Sequence, residues 1–324
     1  MKSFAYSVAI RTLGTAGNKY LQTLKSIQSQ TIQPKKIVIY IAEGYPIPKE
    51  SIGKEEYIYV KKGMVAQRAL PYKEIETEYI LCLDDDLFFP PDMVSKLYEG
   101  LKKYNADCIS PNIFPNHKAT LRKKIFNAWG AFTFPMKSKK WAFRIRKNAS
   151  YSYNNNPTLD IYPSQSAAFA CFLCKLSVFK AIHYEDEIWL DQVKYALGDD
   201  FLFFYKLYKN GFKLLVHFNT NIQHLDGKCG HSKTPIEKEI AAGKIDYLLW
   251  HRTCYNFLGT TLFYKMQYAW SFTLKVLCKL SYKIIIRTLQ GFPFSFIYYL
   301  QGLWQGYSYT KTSDYKKIPN FKIK

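Results

Sequence analysis

The first third of the chain alternates two hydrophobic patterns. Short apolar runs rich in β-branched and aromatic residues indicate strands, and apolar residues every three or four positions indicate helices. The strand-like runs are YSVAI (6–10), KKIVIYIAEG (35–44), EEYIYVKKG (55–63) and EYILCL (78–83), with helical patterns over 19–30 and 64–71. Strands that alternate with helices predict a parallel sheet with right-handed crossovers, which is an α/β fold.

The later patterns extend this α/β prediction. Helical spacing covers 92–104 and 197–213, where Phe201, Phe204, Tyr205 and Tyr208 are spaced for one buried face. Further strands are predicted over 107–111 and 213–218, a strand leading into a helix over 165–179, and a strand-like turn over 220–227.

Two clusters of acidic residues lie far apart in the chain. LDDD (83–86) follows the apolar run EYILCL directly, and Asp199 and Asp200 begin a predicted helix. Adjacent carboxylates repel each other, so such clusters are tolerated where a cation neutralises them, and oxygen ligands suit Mg²⁺ or Mn²⁺. A solvated acidic loop is the alternative. The position of Asp84 to Asp86 at a strand end favours a binding site, because ligands of α/β sheets lie beyond the carboxyl ends of strands.

The composition narrows the class of partner. The chain of 324 residues has 46 Lys and Arg against 25 Asp and Glu, a formal net charge of +21. This excess predicts an anionic partner: a nucleotide, a nucleic acid or an acidic membrane surface. Seven cysteines at irregular spacing indicate a reducing compartment, and the CxxC pair Cys171 and Cys174 lies in a run typical of a buried strand. The N-terminus lacks the pattern of a secretory signal, so we expect a cytoplasmic protein.

Several segments in a fixed order resemble the family 2 glycosyltransferases of GT-A fold. These are TLKSIQSQT, KKIVIYIAEG, GMVAQRALPY, LDDD and GDDFLFFYKLYKNGFKL, and the resemblance covers roughly residues 4–227. It implies a GT-A nucleotide-diphospho-sugar transferase-like sheet with flanking helices. It also places SQSAAFACF (164–172) where the family lines its acceptor pocket, although core packing explains that segment equally well.

The resemblance implies four donor-binding residues. Thr12 would lie beside the nucleotide, although Arg11 departs from the usual Pro-Thr pair. Glu43 would contact the base, where Asp is more common, and Arg68 would contact the nucleotide or its phosphates. Asp84, the first acid of the D-x-D motif, would lie near the ribose.

The resemblance also implies a metal site and a catalytic base. Asp86 would hold Mn²⁺ or Mg²⁺, and His224 in IQHLDG would approach the metal or the diphosphate. Asp200 matches the second acid of the family's Glu-Asp pair, the catalytic base, while Asp199 replaces the usual Glu. Each residue also has a structural reading: a helix-surface cation for Arg68, a strand-end histidine for His224, and turn or strand residues for Glu43 and Thr12.

The C-terminal region differs in character from the rest. We expect a GT-A catalytic domain over 1–244 and a basic, aromatic helical region over 245–324. Lys275, Lys279, Lys283 and Arg287 recur every four residues and predict a cationic amphipathic helix. This pattern favours attachment to an anionic membrane surface, with packing against the catalytic domain as the alternative.

The sequence therefore predicts an inverting, metal-dependent glycosyltransferase. Its donor would be a nucleoside-diphosphate sugar, with UDP the expected nucleotide. Its acceptor would be a glycan or lipid-linked, in cell-surface polysaccharide synthesis at the cytoplasmic face of the membrane. A nucleotidyltransferase would normally show a Gly-rich phosphate loop, and RTLGTAGNKY matches one poorly. A basic nucleic-acid-binding protein would account for the charge, but no nucleic-acid motif appears and none is expected as a partner. A non-catalytic membrane-surface protein is the other alternative.

Overall fold

A central sheet of eight strands organises the first two thirds of the chain. The computed structural model describes residues 4–114, 140–193, 198–225, 234–256 and 261–322. The sheet has the strand order β3-β2-β1-β4-β10-β6-β11-β9, and two smaller sheets pair β5 with β12 and β7 with β8. The strands are β1 Tyr6–Thr12, β2 Ile37–Ala42, β3 Glu55–Val60, β4 Tyr79–Asp84, β5 Leu87–Phe88, β6 Cys108–Pro111, β7 Phe143–Ile145, β8 Tyr151–Tyr153, β9 Ile161–Pro163, β10 Cys171–Lys175, β11 Leu214–His217 and β12 Gln223–His224.

The sheet is mixed, which corrects the prediction of a parallel one. Strands β1 to β4 pair in parallel, whereas β10 runs antiparallel to both β4 and β6. The chain enters β10 at the carboxyl edge of β4, where the Asp84 N–H donates to the Ala170 carbonyl at 2.8 Å. A strand that starts at that edge must run back along β4 in the opposite direction.

Helices cover both faces of the sheet. Helix α1 (Asn18–Gln28) buries Tyr20, Leu24 and Ile27 at the predicted spacing, and α2 (Met93–Tyr104) packs in the same apolar cluster. Strand β10 leads into α3 (Leu176–Ala181), as predicted, and a 3-10 helix follows over Tyr184–Gln192. Helix α4 (Asp199–Lys209) buries every residue from Phe201 to Leu207 rather than the single face predicted. The C-terminal helices belong to the same apolar cluster as α4, so its outer side is also covered.

The segment 64–71 forms hydrogen-bonded turns, not the short helix predicted. The N–H of Gln67 donates to Gly63 at 3.1 Å, and the N–H groups of Arg68 and Ala69 both donate to Val65. Pro71 follows, and a residue before proline is disfavoured in the helical conformation, so no helix can extend from this turn.

The C-terminal helices begin with α5 (Pro235–Trp250), which starts at a Thr234/Glu237 capping box. The predicted domain boundary after residue 244 falls inside this helix, and the division into two domains stays a prediction. A π-helical turn over His251–Tyr255 continues α5, and another over Lys283–Arg287 continues α6. The remaining helices are α6 Leu262–Tyr282, α7 Ser295–Tyr309 and α8 Ser313–Lys317. In the parts of the chain that the structure covers, no helix has both the length and the apolarity needed to cross a bilayer.

The predicted cationic stripe of α6 exists, and it faces two carboxylates of α5. Lys275 Nζ lies 3.0 Å from Asp246, which also pairs with Lys279. Lys283 pairs with Glu239, and Arg287 Nη2 lies 3.0 Å from the same carboxylate. These four cations are therefore engaged inside the protein. A contact between them and an anionic membrane stays a prediction.

Glycine allows α5 and α7 to pack closely. A Cβ on Gly302 of α7 would overlap the Ile240 carbonyl oxygen of α5, and one on Gly243 of α5 would overlap the Tyr299 carbonyl. The two backbones therefore touch without intervening side chains.

The described cysteines are all free thiols, and Cys171 and Cys174 lie buried in β10, as the core interpretation requires.

Candidate active site

The parallel strands bring the predicted donor residues to one edge of the sheet. Arg11 pairs with Asp84 in the register of β1 with β4, and Thr12 ends β1. Glu43 follows the end of β2, its N–H donating to the Val60 carbonyl at 2.8 Å, and its side chain is exposed. Because all three strands run in parallel, their carboxyl ends form a common edge, where a ligand is expected.

Asp84 is held by two guanidinium groups. Arg11 forks across the carboxylate, with Nε at 2.7 Å and Nη2 at 3.2 Å, and Arg68 Nη2 lies 3.3 Å away. Burial opposes ionisation of Asp84, but the two arginines outweigh it and lower its pKa to about 2. Asp84 is therefore a carboxylate at neutral pH.

Arg68 joins the two acidic clusters that the sequence separates. Its Nη1 pairs with Asp199, while its Nη2 contacts Asp84 at 3.3 Å. The guanidinium carbon lies 4.0 Å from the centre of the Phe169 ring, a cation–π contact. Burial, followed by repulsion from Arg11, lowers the pKa of Arg68 to about 10, which still leaves it charged at neutral pH.

The turn that contains Arg68 is stabilised by Asp191, a residue distant in the sequence. Its two carboxylate oxygens accept the N–H groups of Val65 and Ala66, each at 2.8 Å. A Cβ on Gly63 would overlap this carboxylate, so glycine is needed at that position. The 3-10 helix that ends at Gln192 thereby positions Arg68.

Asp84, Asp86 and His224 form a cluster suited to a divalent cation. His224 reaches it because β12 pairs with β5, and the Leu225 N–H donates to the Asp86 carbonyl at 2.8 Å. His224 Nε2 lies 3.2 Å from Asp86 Oδ1, and one ligand atom of each of the three residues lies within 4.8 Å of the others. Ligands about 2.1 Å from one ion lie at most roughly 4.2 Å apart, so the three side chains need only a small movement to hold one cation together. The two carboxylates suit Mn²⁺ or Mg²⁺, whereas an imidazole is a more usual ligand of transition metals.

Thr12 and Asp85 form a second contact at this edge. The Thr12 hydroxyl donates to Asp85 and accepts the Gly14 N–H at 2.8 Å. Burial raises the pKa of Asp85 to about 6; the Thr12 hydrogen bond opposes the rise, and the neighbouring carboxylates Asp84 and Asp86 add to it. Thr12 therefore orients the middle acid of the triplet.

Asp200 lies at the first turn of α4. Its carboxylate accepts the Phe201 N–H at 2.7 Å, and Gly198 precedes the helix with a positive φ of 98°. Burial raises the pKa of Asp200, although the Phe201 N–H and the charge of Arg68 oppose the rise. A carboxylate with a raised pKa is a better proton acceptor.

The structure adds partners that the sequence did not single out. Asp191 carried no signal, because nothing in the sequence shows that it caps a turn more than a hundred residues earlier. Phe169 lay in the segment considered for the acceptor pocket, yet it is buried beneath Arg68. Arg11 was noted as a departure from the family pattern. The register of β1 with β4 explains it as the partner of Asp84.

A mixed sheet flanked by helices, with an acidic cluster at its carboxyl edge, is the arrangement that the resemblance to the GT-A glycosyltransferases implies. Residues 56–169 match the family model described as Glycosyl transferase family 2. Within this chain, residues 56–169 therefore form a region of the family 2 glycosyltransferase type. The matched region includes Arg68, Asp84 and Asp86 and excludes Thr12, Glu43, Asp200 and His224.

One solved structure with a similar fold is described as the crystal structure of GalNAc-T7 with UDP, GalNAc and Mn²⁺. It shares 14% identity at a TM-score of 0.49, over 87% of this chain and 57% of that chain. The chain thus spans little more than half of that structure. No curated protein matches the sequence.

Proposed function

We propose that this glycosyltransferase moves a sugar from a nucleoside-diphosphate donor to an acceptor hydroxyl with inversion at the anomeric carbon, in a metal-dependent reaction. The observation that carries the proposal is the position of Arg68 between Asp84 and Asp199. The cluster of Asp84, Asp86 and His224 therefore lies on one side of the buried Arg68 guanidinium. The two acids at the start of α4, Asp199 and Asp200, lie on the other side. Donor and base therefore have separate places in one site.

The donor's diphosphate would lie beside Arg11 and Arg68. Breaking the bond between the anomeric carbon and the diphosphate oxygen leaves negative charge on that oxygen. Fixed cations in a site with little water stabilise such charge strongly. A divalent ion held by Asp84, Asp86 and His224 would act as a Lewis acid toward the diphosphate.

Asp200 would serve as the general base. An acceptor hydroxyl oxygen would attack the anomeric carbon on the face opposite the diphosphate, and its proton would pass to the Asp200 carboxylate. One bond to the anomeric carbon forms as the other breaks, so the configuration inverts. The burial that raises the pKa of Asp200 favours this role.

The nucleotide, acceptor and location follow from the family resemblance. UDP is the nucleotide we propose, bound with Thr12 and Glu43 at the sheet edge. The acceptor would be a glycan or lipid-linked, in cell-surface polysaccharide synthesis. We place the protein in the cytoplasm, at the inner face of the cell membrane.

Nucleotide binding tests the proposal directly. Thermal unfolding of the full chain would be followed with UDP, GDP, dTDP and CMP, each with and without Mn²⁺. We expect a metal-dependent rise in Tm with one nucleoside diphosphate. Asp86→Asn should abolish the rise, since it removes a metal ligand.

Asp92→Asn is the matched control, because Asp92 is a nearby acid whose partner is Lys96, four residues along α2. It should keep the nucleotide response of the wild type. Asp200→Asn should bind the nucleotide normally but lose sugar transfer. A folded wild type that responds to no nucleotide, or an Asp86→Asn variant that responds fully, would refute the proposal.

A further inference from the structure

Helices α6 and α7 each expose a row of large apolar side chains. Within each row the residues are three, four or seven positions apart, so they lie on one side of their helix. Trp270 of α6 is 63% exposed and Trp304 of α7 is 67% exposed. We call these two rows together the apolar face; it consists of Phe263, Met266, Trp270, Leu277 and Ile284 on α6, and of Ile297, Leu300, Trp304 and Tyr307 on α7.

Both rows of the apolar face point away from α5. Both helices turn their polar sides to α5, where Asp246 receives Lys275 and Lys279 from α6 and the Tyr299 hydroxyl from α7, the last at 2.8 Å. The exposed rows lie on the opposite sides of the same helices. Each of the two helices that pack on α5 therefore exposes apolar side chains on the side turned away from it.

Charge is distributed unevenly around this face. The sequence from 262 to 309 contains no Asp or Glu, and four of its five cations pair with α5. The described cations that follow are Lys311, Lys316, Lys317 and Lys322, all exposed. Lys311 Nζ lies 4.8 Å from the centre of the Tyr307 ring, at the edge of the apolar face. The face is therefore apolar with a basic margin at one end.

We propose that the apolar face inserts into the headgroup region of a lipid bilayer that contains anionic lipid, and that Lys311, Lys316 and Lys317 contact the headgroups. Tryptophan and tyrosine favour this depth, because their rings are apolar and their N–H or O–H group remains hydrated. A basic margin complements anionic headgroups. The cationic stripe of α6, which the sequence suggested for this contact, instead binds α5 to α6.

A second copy of the chain fits the face less well. A dimer formed through the apolar face would bring the basic residues of both copies close together. Asp314 is the sole acid between residues 262 and 322 that could neutralise them. Apolar insertion needs no such balance.

The inference deepens the proposed function, on which it rests, because a protein docked in this way could reach a lipid-linked acceptor. Lipid binding is measured without donor or acceptor, and nucleotide binding is measured on the same samples without lipid. A failure of one can therefore be told from a failure of the other.

The test is cosedimentation of the full chain with phosphatidylcholine vesicles, with and without phosphatidylglycerol, at low and high salt. We expect binding to both, tighter with phosphatidylglycerol at low salt and still present at high salt. Trp270→Gln/Trp304→Gln should lower the partition coefficient in phosphatidylcholine at least roughly tenfold, since two large apolar side chains are lost. Lys311→Gln/Lys316→Gln should remove only the preference for phosphatidylglycerol.

The matched control is Tyr59→Gln/Leu159→Gln, which removes two apolar side chains that are 51% and 64% exposed outside the C-terminal helices. It should bind vesicles as the wild type does. Equal binding by the tryptophan variant, or binding that high salt abolishes, would overturn the proposal. So would a wild-type dimer in sedimentation velocity that the tryptophan variant dissociates, if neither protein binds vesicles.

Discussion

The buried carboxylate of Glu187 ties the C-terminal helices to the catalytic part. Its side chain is 0% exposed and accepts from Arg252 Nη2 at 2.7 Å and Nε at 3.2 Å, and from Trp189 Nε1 at 2.8 Å. Lys206 Nζ of α4 lies 3.3 Å away and also pairs with Asp186 at 2.9 Å. Burial opposes ionisation of Glu187, but Arg252 and Lys206 lower its pKa below the usual value.

The substitution Glu187→Gln should strongly destabilise the protein. It changes the summed charge of Glu187, Asp186, Arg252 and Lys206 from zero to +1, and it turns an amide N–H toward groups that are themselves donors. Breaking a buried ion pair by removing one partner typically costs about 3–5 kcal/mol. For a protein of this size that corresponds to a fall in Tm of roughly 4–7 °C.

Urea unfolding of Glu187→Gln, Arg252→Met and the double variant measures the coupling free energy between Glu187 and Arg252. Because the double variant removes both charges, it should be more stable than the sum of the single changes predicts. Glu185→Gln is the control, since Glu185 is exposed beside His183, and its effect should stay within about 0.5 kcal/mol. Additive effects of the two single variants, or a Glu187→Gln variant as stable as the control, would refute the reasoning.

Three further predictions concern packing, positioning and pH. Gly302→Ala should force α5 and α7 apart and cost about 1–3 kcal/mol or more in urea unfolding, whereas Gly306→Ala, whose Cβ would lie 2.9 Å from a backbone oxygen, should cost less. Asp191→Ala should weaken donor binding by roughly tenfold, because two N–H groups lose their acceptor and the turn that contains Arg68 loosens. Its Tm should change little. Unchanged donor affinity in calorimetry would contradict this prediction. Burial opposes ionisation of Asp246, but Lys275 and Lys279 hold its pKa well below the usual range. The stability that its charge contributes is therefore present above the pKa of the unfolded state and is lost as pH falls through the pKa of the folded state. Asp246→Asn should therefore lower the unfolding free energy at neutral pH, with a smaller deficit below pH ~3, and an equal deficit in both would contradict the assignment.

The sequence predicted local features well and long-range partners poorly. Helix α1 formed where the helical spacing over 19–30 indicated it, and the acid triplet at a strand end lies in the cluster of Asp84, Asp86 and His224 that could hold a metal ion. The turn at 64–71 was missed because one helical turn and a helix share the same short pattern. The direction of β10 depends on which edge the chain returns to, and periodicity does not encode it.

The cationic stripe of α6 also shows that periodicity does not predict the partner of a helix face. Its four-residue spacing was visible in the sequence, but the acids that bind it lie 29 to 48 residues earlier on α5. Spacing reveals that residues share a face of a helix. It does not reveal which surface that face meets.

The short 3-10 helix Tyr184–Gln192 determines whether the C-terminal helices of this protein can be removed or exchanged. At one end Asp191 holds the turn of Arg68, and in its middle Glu187 holds Arg252 of the C-terminal helices. A protein truncated before α5 would leave Glu187 without its strongest partner, only four residues from the group that orients the donor site. The C-terminal helices are therefore not an exchangeable module, and a chimaera that grafts them onto another transferase would have to carry this helix with them.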